Sequence, residues 1–345
     1  MSENPRTKDG NLASRKDDHI RINRVENVAS GLTAGFDEIH LRHESLPELS
    51  LDEIDLSTIF LGKKINSPIL ISSMTGGTEE GDQINERLAE AAERYGIPMG
   101  VGSQRISLQC VMQSSKFNIR KIAPSIPIYA NLGAVQLNYG LDVEHCQRAV
   151  DLIDADALIL HLNPLQEALQ PEGQTNFSGL LQKIETVCKK VKIPVIVKEV
   201  GWGISIQTAK KLVDVGVECI DVAGAGGTSW ALVEKFRNTE PWRIEMCENF
   251  KDWGIPTAQN ISLLKMKLPG IPIIASGGIR NGIDAAKSIA LGASLAGAAG
   301  SIFKVAMESQ NALNLKIHQW IQELKITMFV TGSRTLKDLN DGKIL

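Results

Sequence analysis

The chain has 345 residues, 43% hydrophobic and 22% charged, which is ample for a buried core. Its 37 basic and 40 acidic residues leave a formal charge of −3, so it lacks the electrostatic footprint of a nucleic-acid-binding protein. Apolar runs are strand-sized or broken by glycine, and the start MSENPRTKDGNLASRKDDHI is polar throughout, which argues against a membrane span and a signal peptide.

Residues 1–66 form an N-terminal extension ahead of the first strand pattern. Within it, RKDDHIRI (15–22) carries Arg15, Lys16 and His19. Such a basic cluster is either solvated or an anion clamp that folds over a neighbouring site. From there the chain alternates a short β-branched run, a few small or polar residues, and a helix-period segment. The runs are PILISSM (68–74), PMGVGS (98–103), PIYANLG (127–133), ALILHLN (157–163), PVIVKEV (194–200), CIDVAG (219–224), PIIASGG (272–278) and SLAGAAG (294–300). Several open on an Ile-Pro or Ser-Pro step, which disfavours helix just before the strand. They are near-continuously apolar, as parallel strands covered on both faces are. Between them, 82–95 places Ile84, Leu88, Ala91, Ala92 and Tyr95 on one helical stripe, and 143–153 and 206–215 behave alike.

Eight repeats of this kind predict one α/β domain over 1–345, a closed (β/α)8 TIM barrel. A doubly wound open sheet would want G-x-G-x-x-G after the first strand, and Ser73-Met74-Thr75-Gly76-Gly77 is not that turn. The loop after the sixth run is long (225–255) and holds Trp230, Trp242 and Trp253. It is either a lid over the active face or an extra packed helix pair. The five cysteines (Cys110, Cys146, Cys188, Cys219, Cys247) are widely spaced with no C-x-x-C. They read as small buried hydrophobes in a reducing, cytoplasmic setting.

Catalysis in such barrels is built at the C-terminal strand ends. Here those ends carry Ser73, Met74 and Thr75; Ser103, Gln104 and Arg105; Asn131; His161 and Asn163; Lys198 and Glu199; 225–228; Gly277 to Arg280; and Ala299 with Gly300. SGGIRNG after the seventh run and GAAGS at the end of the eighth form a phosphate signal, because glycine lets backbone amides approach the anion and the next helix adds its positive end. Alternation puts Ile196 and Lys198 on one strand face. A lysine there meets either an anionic ligand or a neighbouring carboxylate. Reduced flavin, anionic around N1 and O2, is one ligand that needs such a cation. HLNPLQEALQPEG then supplies Gln166 and Glu167, and Mg²⁺ needs only one or two carboxylates when a diphosphate provides other oxygens.

Taken in order, RKDDHIRI, FDEIHLRHESLPE, SSMTGGT, GSQR, ANLGAVQ, HLNPLQEALQPEG, VKEVG, DVAGAGGTSW and SGGIRNG closely resemble the type 2, FMN-dependent isopentenyl-diphosphate isomerases over most of the chain. The resemblance implies an isomerase of isoprenoid biosynthesis. It would interconvert isopentenyl and dimethylallyl diphosphate by a 1,3 proton shift, with reduced FMN as acid/base, NADPH as reductant and Mg²⁺ on the diphosphate. It implies FMN contacts from Ser73, Met74, Thr75, Ser103, Asn131, Lys198 and Thr228, and FMN phosphate contacts from Gly277, Gly278, Ile279, Arg280, Ala299 and Gly300. The substrate diphosphate would meet Arg15, Lys16, Ser103, Gln104, Arg105 and Gln166, with Glu167 on the metal. Gln166, His161 and Lys198 would act at the reacting centre, and the assembly would be a homotetramer or homo-octamer. Rival readings are an FMN oxidoreductase of the hydroxyacid-oxidising or dihydroorotate type, a nucleotide dehydrogenase barrel, and a non-catalytic phosphate-binding barrel. The second of these needs a cysteine beside its GAGGTS loop, and 221–230 has none.

Overall fold

The structure is a computed structural model that describes residues 8–74, 76, 78–109 and 119–345. Thr75 and Cys110 lie outside the described residues. A hairpin of β1 (Thr58–Phe60) and β2 (Lys63–Ile65) precedes eight parallel strands. These are β3 (Ile69–Ile71), β4 (Met99–Gly100), β5 (Ile128–Gly133), β6 (Ala157–His161), β7 (Val195–Lys198), β8 (Cys219–Asp221), β9 (Ile273–Ser276) and β10 (Leu295–Ala298). They pair in sequence order, and β10 closes onto β3 with Ala296 opposite Ile69. Each of the eight predicted runs contains one barrel strand.

Period-two alternation divides each strand between two cores. Leu70, Tyr129, Ile159, Ile196, Cys219, Ile274 and Leu295 pack inside the barrel. Ile69, Ile71, Ile128, Leu158, Val195, Val197, Ile220 and Ile273 pack outward among the helices. Phe60 and Ile65 of the hairpin join the inner cluster, and Lys63 pairs with Asp156 just ahead of β6 at 2.9 Å. The hairpin therefore plugs the N-terminal end of the barrel. Two residues further along each strand the inward position turns polar or small: Ser72, Asn131, His161, Lys198, Asp221, Ser276 and Gly297. That layer is the floor of the functional end.

The helices stop and start where side chains supply caps. Glu79–Tyr95 begins three residues before the predicted 82, because Thr78 accepts from the Gly81 N–H, and it ends at Gly96 with φ of 62°. Asp142 and Ser205 cap Val143–Asp151 and Ile206–Asp214 in the same way. Residues 225–255 carry two helices, Trp230–Arg237 and Pro241–Asn249. Their Ala231 and Cys247 are buried with Leu169 and Trp202, whereas Trp242 and Trp253 are exposed. The N-terminal helix, Lys8–Val25, lays Ile20 and Ile22 into the protein and brings His19 edge-on to Trp230 at 5.0 Å. Among the described residues no helix is long and apolar enough to cross a membrane.

Candidate active site

A cavity of about 780 Å³ lies over the polar layer, between the strand-end loops and the N-terminal helix. Its floor is organised around Asn131. The Asn131 amide donates to the Val101 carbonyl at 3.1 Å, so its oxygen faces the Nδ1 of His161 at 2.8 Å. His161 thus donates from Nδ1 and keeps Nε2 as an acceptor. Burial, and then the charges of Lys198, Arg15 and Lys16, push its pKa down to about 3, so the ring is neutral. Lys198 donates to the Glu199 carbonyl at 2.6 Å and lies 4.0 Å from Asp221 Oδ2. Of the two alternatives raised for Lys198, the neighbouring carboxylate is present, and the lysine also lines the cavity.

One wall is made by the loops after β9 and β10. Gly277 and Gly278 adopt φ of 100° and 74°, and Gly278 lies against Gly226 of the β8 loop. The helix Gly300–Glu308 opens from Ala299 with no side-chain cap, and its first residues, Gly300 and Ser301, line the cavity. Arg280 and Lys304 line the same wall. Backbone donors, a helix N-terminus and two cations make an anion site.

A second cationic cluster comes from other elements. Arg15, Lys16 and Arg105 all line the cavity. Lys16 Nζ donates to the Ser103 carbonyl at 3.0 Å and to the Gly76 carbonyl. Burial, and then the charge of Arg15, bring Lys16 down to about 8, and the same two causes lower Arg105. Like charges held this close favour an anion among them.

Next to this cluster, Asn163 stands at the N-terminal boundary of the short helix Pro164–Leu169 and donates to Gln166 Oε1 and Glu167 Oε1, each at 3.1 Å. Glu167 Oε2 also accepts from Gln170 at 2.5 Å and from the Gln174 N–H at 2.6 Å. Three donors fix the carboxylate and leave acceptor capacity toward the cavity it lines. Gln166 Nε2 donates to Glu234 Oε1 at 3.4 Å, which fixes which end of its amide faces where. Glu234 is fully buried and also meets His19 at 3.2 Å and Arg237 at 2.6 Å. Burial would raise Glu234, but His19 and Arg237 outweigh it and hold it below its usual value.

Of the site residues named from sequence, the cavity brings together Arg15, Lys16, Ser73, Met74, Ser103, Arg105, Asn131, His161, Gln166, Glu167, Lys198, Thr228, Gly277, Gly278, Ile279, Arg280, Ala299 and Gly300. Gln104 is the correction. It does not line the cavity; its side chain is buried, with Nε2 on the Ala149 carbonyl at 2.9 Å and Oε1 on the Asn131 N–H at 3.0 Å. Both ends of its amide are already used in placing Asn131. Thr75 lies outside the described residues. Sequence reasoning missed Glu234, Arg237 and Asp221. Among the described residues no group of three or more His, Cys, Asp or Glu could hold a metal by itself.

A barrel with a glycine-built anion site on its last two loops, a floor lysine, and a buried Ser73 hydroxyl that has no hydrogen-bond partner among the described residues fits a flavin nucleotide. The sequence matches the FMN-dependent dehydrogenase family over residues 24–122 and 162–345. Among solved structures, a flavocytochrome b2 variant superposes with a TM-score of 0.69 at 16% identity, over 99% of this chain and 88% of that one. A mandelate oxidase gives 0.64 at 16% identity over 96% of each chain. These share the fold alone. The isopentenyl-diphosphate delta-isomerase of Rickettsia africae is 51% identical over 338 residues, 98% of this chain and 99% of the relative. That of Rickettsia felis is 48% identical over 344 residues, 100% and 99%. The chain belongs to the FMN-dependent isopentenyl-diphosphate delta-isomerase family, a family of enzymes.

Proposed function

We propose that this chain interconverts isopentenyl and dimethylallyl diphosphate by a 1,3 proton shift, with reduced FMN as the acid/base, NADPH as reductant and Mg²⁺ on the diphosphate. The observation that carries this is two separate anion clusters in one cavity: the loops after β9 and β10 for a cofactor phosphate, and Arg15, Lys16 and Arg105 for a substrate diphosphate. Bound and reduced, FMN would supply an exchangeable proton and an electron-rich ring beside an alkene that gains cationic character.

The chain's own residues supply the rest. Arg15, Lys16, Ser103, Arg105 and Gln166 orient the diphosphate, and Glu167 offers one oxygen to Mg²⁺. His161, neutral with Nε2 as acceptor, and Gln166, locked by Asn163 and Glu234, position the hydrocarbon end. An amide carries protons poorly, so Gln166 orients rather than titrates. Lys198 stabilises anionic character at the floor. The N-terminal helix and Trp230 exclude water from the reacting atoms. The protein would work in the cytoplasm as a homotetramer or homo-octamer.

The direct test is anaerobic incubation of isopentenyl diphosphate with enzyme, FMN, NADPH and Mg²⁺. Dimethylallyl diphosphate should form with no stoichiometric loss of NADPH; NADPH consumption matching product would turn the reading toward an oxidoreductase. Enzyme loaded with 5-deazaFMN should be inactive, and full activity there would sink the acid/base role of the flavin. A pH dependence follows from Lys16. Its protonated form binds the diphosphate, and in the free enzyme that form is lost as pH rises through about 8. The KM should therefore climb above that pH while kcat stays level. Lys16→Arg should remove the alkaline limb, and an unchanged limb would show that another group causes it.

A further inference from the structure

The cavity floor rests on a carboxylate that the mechanism above leaves unused. Asp221 ends β8 and is the lateral neighbour of Lys198 in the β7–β8 register. Alternation from Cys219, which packs inside the barrel, turns Asp221 inward. The residue is 1% exposed. Its Oδ1 accepts from the Ser276 hydroxyl at 2.5 Å and from the Ala223 N–H at 3.3 Å. Its Oδ2 is buried, accepts no hydrogen bond from the described residues, and lies 4.0 Å from Lys198 Nζ. Burial pushes the Asp221 pKa up; the ammonium of Lys198 opposes that rise more strongly than either hydrogen bond does.

The lysine is held from two sides. One of its three N–H donors goes to the Glu199 carbonyl. That carbonyl is fixed by a tight turn, in which Glu199 Oε2 accepts from the N–H groups of Val200, Gly201 and Trp202 at 2.7, 2.8 and 2.6 Å. Asp221 Oδ2, at 4.0 Å, lies beyond hydrogen-bond distance and acts on the ammonium by its charge. A further N–H is left for the cavity. If Asp221 served only to tie β8 to β9, Oδ1 would be enough. A buried carboxylate oxygen with no donor costs free energy that only a nearby charge offsets.

We infer that Asp221 is a positioning residue for Lys198: as its buried counter-ion it holds the ammonium on the floor with one N–H directed into the cavity, and it sets how much positive charge a flavin ring there experiences. This rests on the FMN reading of the cavity, not on the identity of the substrate.

The test is Asp221→Asn in the FMN-loaded protein. Asparagine keeps the Oδ1 acceptor for Ser276 and Ala223, and replaces the charged Oδ2 facing Lys198 with a neutral amide NH2 that cannot serve as counter-ion. The flavin's reduction equilibrium should move toward the reduced form by about tenfold, about 30 mV for a two-electron couple. FMN content should be unchanged, and kcat should fall more than KM rises. In a Lys198→Met background the same substitution should leave the potential where it was, because Asp221 without its counter-ion takes up a proton. An unshifted potential in the Lys198 background, at full FMN content, would overturn the proposal. If the asparagine variant fails to fold, Ser276→Ala takes its place. Removing the hydroxyl donor weakens the ionised carboxylate and should move the potential the same way by a smaller factor; no movement again overturns the proposal. Failure of the FMN reading would show first and separately, as wild-type protein that binds no flavin. Absence of isomerisation with flavin bound would remove the substrate assignment and leave the potential measurement standing.

Discussion

Gly278→Ala is expected to give a folded protein that purifies without flavin. Gly278 sits at φ of 74°, and a Cβ there would stand 2.6 Å from the Gly226 carbonyl oxygen and 2.8 Å from Ala34 Cβ. The left-handed backbone alone costs a non-glycine residue about 1–2 kcal/mol. The carbonyl contact is worse, because its nearest atom belongs to backbone and cannot rotate away. Gly227 approaches from the other side, where its own Cβ would meet the Gly278 N–H nitrogen at 2.6 Å. The β8 and β9 loops can touch only if both are bare. Forcing them apart moves the amides at 277–280 relative to the helix that starts at Gly300, and an anion site made of backbone donors has no side chain with which to recover. FMN affinity should fall by about 10²-fold or more, equivalent to the loss of two charge-assisted hydrogen bonds at about 1.5–3 kcal/mol each. Flavin absorbance per chain and the Kd by fluorescence quenching measure it. Gly62→Ala is the matched control. Gly62 also has positive φ, 78°, but a Cβ there meets nothing within 4 Å and the position is remote from the cavity. It should cost a little stability and no flavin. A full flavin complement in Gly278→Ala would show that the cofactor phosphate does not use this loop.

The barrel was legible in the sequence because each strand is a short apolar run that begins at a sharp boundary. The runs begin at or one residue before their strands, and all but PIYANLG continue two or three residues past the strand's C-terminal end. PILISSM continues to 74 whereas β3 stops at Ile71, and PVIVKEV continues to 200 whereas β7 stops at Lys198. The surplus residues leave the ladder because they line or shape the cavity. Lys198 was legible from period two alone. Asp221 was within reach of the same rule, two residues after Cys219 in the predicted run CIDVAG. Glu234 was not legible. In WALVEKFR a glutamate reads as solvated, and only docking of the N-terminal helix, more than two hundred residues away in sequence, buries it against His19. That helix, KDGNLASRKDDHIRINRV, has no amphipathic stripe, so its seat is fixed by tertiary contacts of Ile20 and Ile22. Gln104 shows the opposite failure. A polar residue at a strand end invited a ligand role, but the turn into the helix Arg105–Gln109 sends its side chain back to the Asn131 N–H.

Lys198→Met should lower kcat by about 10²–10³-fold with FMN still bound, the loss typical of one preorganised group aimed at developing charge. Retention of FMN is expected because the glycine loops and Arg280 would hold the phosphate without Lys198. The same substitution should leave a signature in stability that activity cannot show. Removing the ammonium strips Asp221 of its counter-ion in a site that already raises its pKa through burial. The carboxyl must then take up a proton to remain buried. A folded-state pKa above the unfolded value of about 3.9 means that the native state binds more protons than the unfolded state across that window, so stability falls as pH rises through it. The thermal midpoint of Lys198→Met should therefore rise on acidification from neutral toward pH ~5, a window above the unfolded carboxyl value. Adding Asp221→Asn should weaken that dependence, leaving the part due to the buried Glu199 carboxyl, which burial pushes up to about 7, and recover much of the stability lost at neutral pH, since breaking a buried pair costs about 3–5 kcal/mol mainly through the charge left behind. Activity should stay lost in the double variant, because no ammonium faces the cavity. A double variant as unstable as Lys198→Met would mean that the methionine itself, and not the stranded carboxylate, disturbs the floor.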